Sequence, residues 1–271
     1  MQRHFKQYKM DNESIKQFDL LATQYQELIS SKFSEDDFRE YNEILFSAHS
    51  CAIEGNSFSV DETRTLKEKG LGMIPMNKPL VESFEMLDHF AAYEHMVQTI
   101  DEPMTEEYVK HLHFLLTEHT ISYRHRDARP GEYTDKDMCA GDTIFGDHTI
   151  LIARVPELLS QMELALQNKR WHPMEVAVIF HGNFEWLHPF RDGNGRLGRL
   201  LVNKILLRSG LPILIIPKEK REEYLHCMKL FRTDAHPLTD FFFRIAIERM
   251  TQEIEDKKNA TENFKKGWLG I

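Results

Sequence analysis

Apolar residues recur at helical spacing through most of this chain. Ile15, Phe18, Leu21, Tyr25, Leu28 and Ile29 line one face of a helix whose cap is Asn12 or Ser14. The same test predicts helices near 37–54, 78–100, 105–118, 155–168, 173–187, 195–209, 218–232 and 237–257. The pattern breaks between Arg129 and Val155. There Pro130-Gly131 opens a stretch in which Thr143-Ile144-Phe145, Gly146-Asp147-His148 and Thr149-Ile150-Leu151-Ile152 read as strand, turn and strand. A lone hairpin is marginal in water, so the expectation is a flap laid beside something larger. The predicted class is mostly α with a small β-hairpin flap. No internal repeat and no long Pro/Gly/Ser linker divides the chain, and the tail from about Asp256, with its isolated Trp268, is expected to fray.

Composition narrows the function. With 271 residues, 41% of them hydrophobic, the chain can bury a sizeable core. It carries 34 Lys+Arg against 43 Asp+Glu, a net charge of −9, and the basic residues lie scattered among acidic ones. That balance argues against a general nucleic-acid binder and against an anionic-membrane binder. Cys51, Cys139 and Cys227 are odd in number and in no metal-binding spacing, which reads as reduced thiols. The segment 1–14 lacks the apolar run of a secretory signal and no stretch approaches a membrane span, so a soluble, cytoplasmic protein is expected.

One segment concentrates chemistry: His188-Pro189-Phe190-Arg191-Asp192-Gly193-Asn194-Gly195-Arg196-Leu197-Gly198-Arg199. It joins two helical patterns, 173–187 and 195–209, and is therefore a tight loop feeding a helix N-terminus. Gly193 and Gly195 can adopt left-handed backbone and turn successive N–H groups into a concave nest, to which the helix adds its positive end. Both favour a phosphate chain. Arg196 and Arg199 share a helix face, where two guanidinium forks can grip phosphates. Asp192 is placed for a Mg²⁺ shared with those phosphates, and His188 can exchange a proton near neutral pH. Each residue taken singly has a bland reading as turn, solvated face or ordinary histidine; the combination does not. Phe190 reads as a core anchor and Pro189 as fixing the loop's entry angle. A second candidate, a metal site on His181 and His188, lacks a third ligand at suitable spacing.

This segment resembles the signature of the Fic family, H-x-F-x-[D/E]-G-N-G-R-x-x-R, at every defined position. The flanking Leu200-Leu201-Val202-Asn203, Gly210-Leu211-Pro212 and the helix bearing Tyr224 are similar as well. The resemblance covers roughly 80–250, leaving 1–79 as an N-terminal helical extension and 251–271 as a tail. It implies a helical Fic fold that binds ATP and Mg²⁺ and passes AMP to a Ser, Thr or Tyr hydroxyl of a target protein, which can be a second copy of the chain or the chain itself; a homodimer is compatible with it. On that resemblance His188 takes the hydroxyl proton, and Asp192 holds the metal. Gly193, Asn194, Gly195 and Arg196 hold the phosphates, with Arg199 at the γ end. Tyr224 lines the adenine pocket, and the flap at 137–152 registers an extended target segment. Arg232 departs from the Asn found in relatives and leaves base recognition open.

The segment Ser50-Cys51-Ala52-Ile53-Glu54-Gly55 closes a predicted helix, with Gly55 as its terminator. A carboxylate in a last helical turn opposes the helix dipole, which hints at a partner elsewhere. The segment resembles the family's [S/T]-x-x-x-E-[G/N] inhibitory motif. The resemblance implies that Glu54 pairs bidentately with Arg199 and keeps the γ-phosphate out, with Ser50 on the same face helping to orient the site. Rival readings are removal of AMP, transfer of another group as in Doc-like kinases, and an inactive nucleotide-binding interaction module.

Overall fold

The computed structural model describes residues 12–73, 77–140, 143–144 and 146–269. The helices are α1 (Asn12–Leu28), α2 (Glu35–Ile53), α3 (Val60–Lys69), α4 (Leu80–Gln98), α5 (Glu106–Thr117), α6 (Ile121–Arg124), α7 (Leu151–Gln167), α8 (Pro173–Leu187), α9 (Asn194–Arg208), α10 (Arg221–Leu230) and α11 (His236–Leu269). Several begin on caps written in the sequence. Ser34 and Thr105 accept the backbone N–H groups of Asp37 and Tyr108, while Ser59 and Glu62 form a reciprocal capping box. His172 caps α8 and Pro173 occupies its first turn, where the missing N–H costs nothing.

The centre of the molecule is α8, mostly apolar and buried along most of its length, with Phe180 and Phe184 fully buried. It packs against α9, α7 and α11, while α4 packs against α5 and α2. Phe18 and Tyr25 of α1 and Phe46 of α2 join the same core as Leu197, Leu200 and Leu201 of α9. The N-terminal helices are therefore part of this packed unit. No helix among the described residues is long and apolar enough to cross a membrane.

Two expectations are corrected and one helix is added. The predicted strand at Thr149–Ile152 is instead a 3₁₀ turn, His148–Ile150, running into α7. Asp147 starts it by accepting the N–H of Thr149, and only Leu151 turns inward while Ile152 stays 77% exposed. The strand pair lies earlier: β1 (Cys139–Ala140) pairs antiparallel with β2 (Thr143–Ile144), and Phe145 lies outside the described residues. Helix α3 was not predicted, because only Thr63 and Leu66 of it are buried and the periodic signal is faint. The tail beyond Asp256 continues as helix to Leu269.

Candidate active site

The motif loop begins where α8 stops. His188 is the C-cap of α8 in left-handed backbone, φ 46°, an uncommon conformation for a residue with a side chain. Its Nδ1 lies 3.3 Å from the carbonyl of Glu185; a carbonyl can only accept, so the proton of the neutral ring sits on Nδ1 and the lone pair on Nε2. Burial holds the ring below its ordinary pKa, against the opposing pull of the Glu185 carbonyl, Glu54 and Asp192. A neutral imidazole with Nε2 unprotonated is a competent proton acceptor.

The loop is fixed from inside. Phe190 is fully buried and stacks on His113 with ring centroids 3.8 Å apart. Gly131 N–H donates to His113 Nδ1 at 2.8 Å, so His113 carries its proton on Nε2 and donates it to the Asp192 carbonyl at 3.0 Å. Burial pushes His113 down to about 4, which keeps that arrangement neutral and intact at physiological pH. The Asn194 side chain closes the loop on itself: Oδ1 accepts from Phe190 N–H at 3.0 Å and Nδ2 donates to Phe190 O at 2.7 Å. Asn194 thus spends its side chain on the loop, leaving its backbone N–H among the unpaired donors of the first turn of α9. Gly193 precedes that turn at φ 78°, where a side chain would be strained and would press on Thr117.

Beneath the loop lie two ion-pair clusters. In the first, Arg196 is fully buried with Nη1 2.5 Å from Glu85 Oε1 and Nη2 3.5 Å from Asp192 Oδ1. Arg124 bridges the same two carboxylates. Asp192 Oδ1 also accepts the N–H of Gly193 at 2.7 Å. Burial raises the pKa of Asp192, but Arg196 and Arg124 outweigh it and hold the carboxyl below the ordinary range.

The second cluster joins α9 to α2. Arg199 donates from Nε to Ser50 Oγ at 3.1 Å, and from Nη2 to Ser50 O at 2.8 Å and Glu54 Oε1 at 2.8 Å. The expected bidentate pair is therefore a single Glu54 contact plus two from Ser50, because the end of α2 presents a free carbonyl that the guanidinium fork also satisfies. Glu54 itself is the C-cap, followed by Gly55 at φ 103°. About a third of the Glu54 side chain meets solvent, yet its carboxylate tip presses on Gly195, where a Cβ would collide with Oε1. Although burial opposes it, Arg199 holds Glu54 below the ordinary carboxylate range. Behind Arg199 sits Tyr224, 2% exposed, its hydroxyl 2.6 Å from His181 Nε2. That bond occupies Nε2 of His181, whose buried ring packs against Gly198 of α9.

Two described residues before α7 bond to the loop and to the end of α8. Thr134 N–H donates to Pro189 O at 2.9 Å and Gly146 N–H to Trp186 O at 2.8 Å. At Gly146 a side chain would press within 3.0–3.2 Å of the Trp186 and Leu187 backbone, so the close approach needs glycine. Arg232 stacks its guanidinium 3.5 Å over the ring of Trp186.

The Fic/DOC family profile matches residues 103–206. The chain carries a Fic/DOC family domain. It is 32% identical over 198 residues to the Protein adenylyltransferase Fic of Drosophila mojavensis, an alignment covering 71% of this chain and 38% of that relative. The Drosophila melanogaster protein of the same name is 31% identical over 201 residues, with the same shares. The chain thus spans 38% of the length of these curated relatives. Among solved structures, a Fic domain containing signaling protein from Bacteroides thetaiotaomicron superposes with a TM-score of 0.78 at 23% identity, covering 91% of this chain and 97% of that one. Fic-1 from C. elegans superposes at 0.76 with 24% identity, over 92% and 73%. At such identities the likeness establishes a shared Fic fold.

Sequence reasoning brought His188, Asp192, Gly193–Arg196 and Arg199 together because they are contiguous, and added Ser50 and Glu54 by resemblance. It missed Glu85, Arg124 and His113. Each reaches the loop from a different helix or turn, and nothing in its local sequence marks it.

Proposed function

We infer that this Fic domain transfers AMP from ATP to a Ser, Thr or Tyr hydroxyl of a target protein, which can be the chain itself, and that Glu54 restrains it. The observation that carries this reading is the placement of the Glu54 carboxylate against Gly195 and Arg199: an anion occupies the space over a nest of backbone donors suited to phosphate. The curated relatives bear the name of protein adenylyltransferases, which supports the reaction class.

The residues fit a Mg²⁺–nucleotide. Asp192 offers one carboxylate at the mouth of the nest, its side chain 20% exposed, and Mg²⁺ takes one or two carboxylates beside phosphate oxygens. When bound, the ion would neutralise charge developing on the phosphates. The chain's own groups supply the rest. The N–H groups of Gly195 and Arg196 point at the phosphates from the first turn of α9. Arg199, released from Glu54, reaches the terminal phosphate. His188 Nε2 takes the proton of the hydroxyl as its oxygen attacks the α-phosphorus and the α–β phosphoanhydride bond breaks, releasing pyrophosphate; the ring then gives that proton up to solvent. The strand pair, Cys139–Ala140 with Thr143–Ile144, offers an edge along which an extended target can lie.

Because the γ-phosphate must compete with Glu54 for Arg199, ATP binds weakly, or with its α-phosphate out of line, until Glu54 moves. Incubating the purified chain, and the Glu54→Gly variant, with a cell lysate and either α- or γ-labelled ATP tests the reaction class. Protein labelling above that of the lysate alone from the α position but not from the γ position supports AMP transfer; a gain over the lysate alone from the γ position would mean a kinase.

A further inference from the structure

One member of the cluster under the loop has no part in this scheme. Arg124, the last residue of α6, is about a third exposed; its Nη1 donates to Asp192 Oδ2 at 3.2 Å and its Nη2 to Glu85 Oε1 at 2.9 Å. The other Asp192 oxygen, Oδ1, accepts from Gly193 N–H and faces Arg196. Both oxygens of the carboxylate beside the nest are therefore taken. The partners of Oδ1 cannot leave, since one is main chain and the other is fully buried against Glu85. Arg124 can: it is open to solvent, it ends a helix of four residues, and if it releases Asp192 it still holds Glu85.

We propose that Arg124 stands in for a divalent cation on Asp192, fixing the carboxylate in the nucleotide-free protein and yielding Oδ2 to a cation that arrives with a polyphosphate. The inference rests on the reading of Asp192 as metal ligand. Free Mg²⁺ sheds water reluctantly, and a single carboxylate already paired to a guanidinium rewards it poorly. A polyphosphate changes both sides of the exchange: it brings further oxygens to the cation and offers the displaced guanidinium a new anion within reach of its Glu85 anchor. Metal and nucleotide are then coupled, each improving the site for the other, and Arg124 supplies part of that coupling by penalising the metal alone. Arg124 is in this sense a positioning residue.

Mn²⁺ titration of the full chain, followed by the loss of the free-ion paramagnetic resonance signal, tests this without reference to turnover. Arg124→Gln keeps the side-chain length and a donor but removes the charge. Without nucleotide it should bind Mn²⁺ about tenfold more tightly than the parent, the scale of one charge-assisted hydrogen bond. Adding Asp192→Asn should erase the gain, and Arg124→Lys, which keeps the charge, should stay close to the parent. An unchanged Mn²⁺ affinity in Arg124→Gln overturns the proposal, as does a gain that survives Asp192→Asn, which would place the ion elsewhere, for instance on the trio Asp137, Asp147 and His148. The reading beneath is tested separately by titrating Mn²⁺–ATP. If Asp192→Asn leaves that affinity unchanged, Asp192 is not the metal ligand and both ideas fall. If Asp192→Asn weakens it while Arg124→Gln changes nothing, only the stand-in role fails.

Discussion

Replacing Asn194 by alanine tests whether the motif loop owes its shape to that side chain. Asn194 is 2% exposed and makes two bonds to Phe190, one to its N–H and one from Nδ2 to its carbonyl. Alanine removes both and strands two backbone groups beside a fully buried ring. Each bond is worth about 1 kcal/mol net, and each stranded buried group costs about 1–3 kcal/mol. With water entering the space left by the amide and repairing one of them, the expected loss is about 2–4 kcal/mol. That is a large share of the roughly 5–15 kcal/mol by which domains are stable. Urea unfolding should show the midpoint falling with an unchanged slope. Asn194→Asp keeps an acceptor for Phe190 N–H but loses the donor and adds negative charge to the nest, so it should lose comparable stability and weaken ATP binding further. A loss below about 1 kcal/mol in the alanine variant, within the cost of one ordinary hydrogen bond, would refute the clamp.

Three further outcomes follow from the same geometry. Because burial holds His188 below its ordinary value of 6.5, the acid limb of transfer by Glu54→Gly should lie below pH 6.5, activity falling only as the ring takes up its proton; removing Glu54, which favours the charged ring, moves the limb further down. A limb at or above that pH would contradict His188 as the base. At Gly182, in α8, a Cβ would sit 2.5 Å from the ring of Phe231, so Gly182→Ala should cost about 1–3 kcal/mol by overpacking despite alanine's better helix propensity; a gain in urea stability would refute this. Arg221 Nε donates to Ile53 O at 2.6 Å and so ties down the end of α2; Arg221→Gln should loosen Glu54 and raise labelling above wild type by about threefold or more, while unchanged labelling would show that the tie does not bear on the restraint.

The chemistry of the loop was legible because its parts are neighbours in the sequence and only a helix N-terminus is needed to converge them. The long helices were legible for a similar reason: α4, α5, α8 and α9 each carry a periodic apolar face over three turns or more. Helix α3 was not, since little of it is buried, although its capping box, Ser59 and Glu62, was there to be read. The flap was misplaced because Thr149, Ile150 and Ile152 have β-branched side chains; the Asp147 cap overrides that preference and starts a helix instead. What no local pattern could disclose is the set of charges that hold the site. Glu85 and Arg124 look like solvated helix charges, and only the fold brings them onto Arg196 and Asp192. The Ser50 carbonyl, which takes part of Arg199, belongs to backbone and leaves no trace in residue identity.

The most direct test of the account is labelling from α-labelled ATP by wild type, Glu54→Gly, and Glu54→Gly combined with His188→Ala or Arg199→Ala, over a range of ATP concentrations. Wild type should label little and Glu54→Gly strongly. Removing one charge-assisted contact that competes with phosphate should raise apparent ATP affinity by about tenfold or more. His188→Ala should cut transfer by about 10²-fold or more with nucleotide still bound, and Arg199→Ala should abolish the gain. Equal labelling by wild type and Glu54→Gly at every ATP concentration, or labelling that survives His188→Ala, would contradict the account.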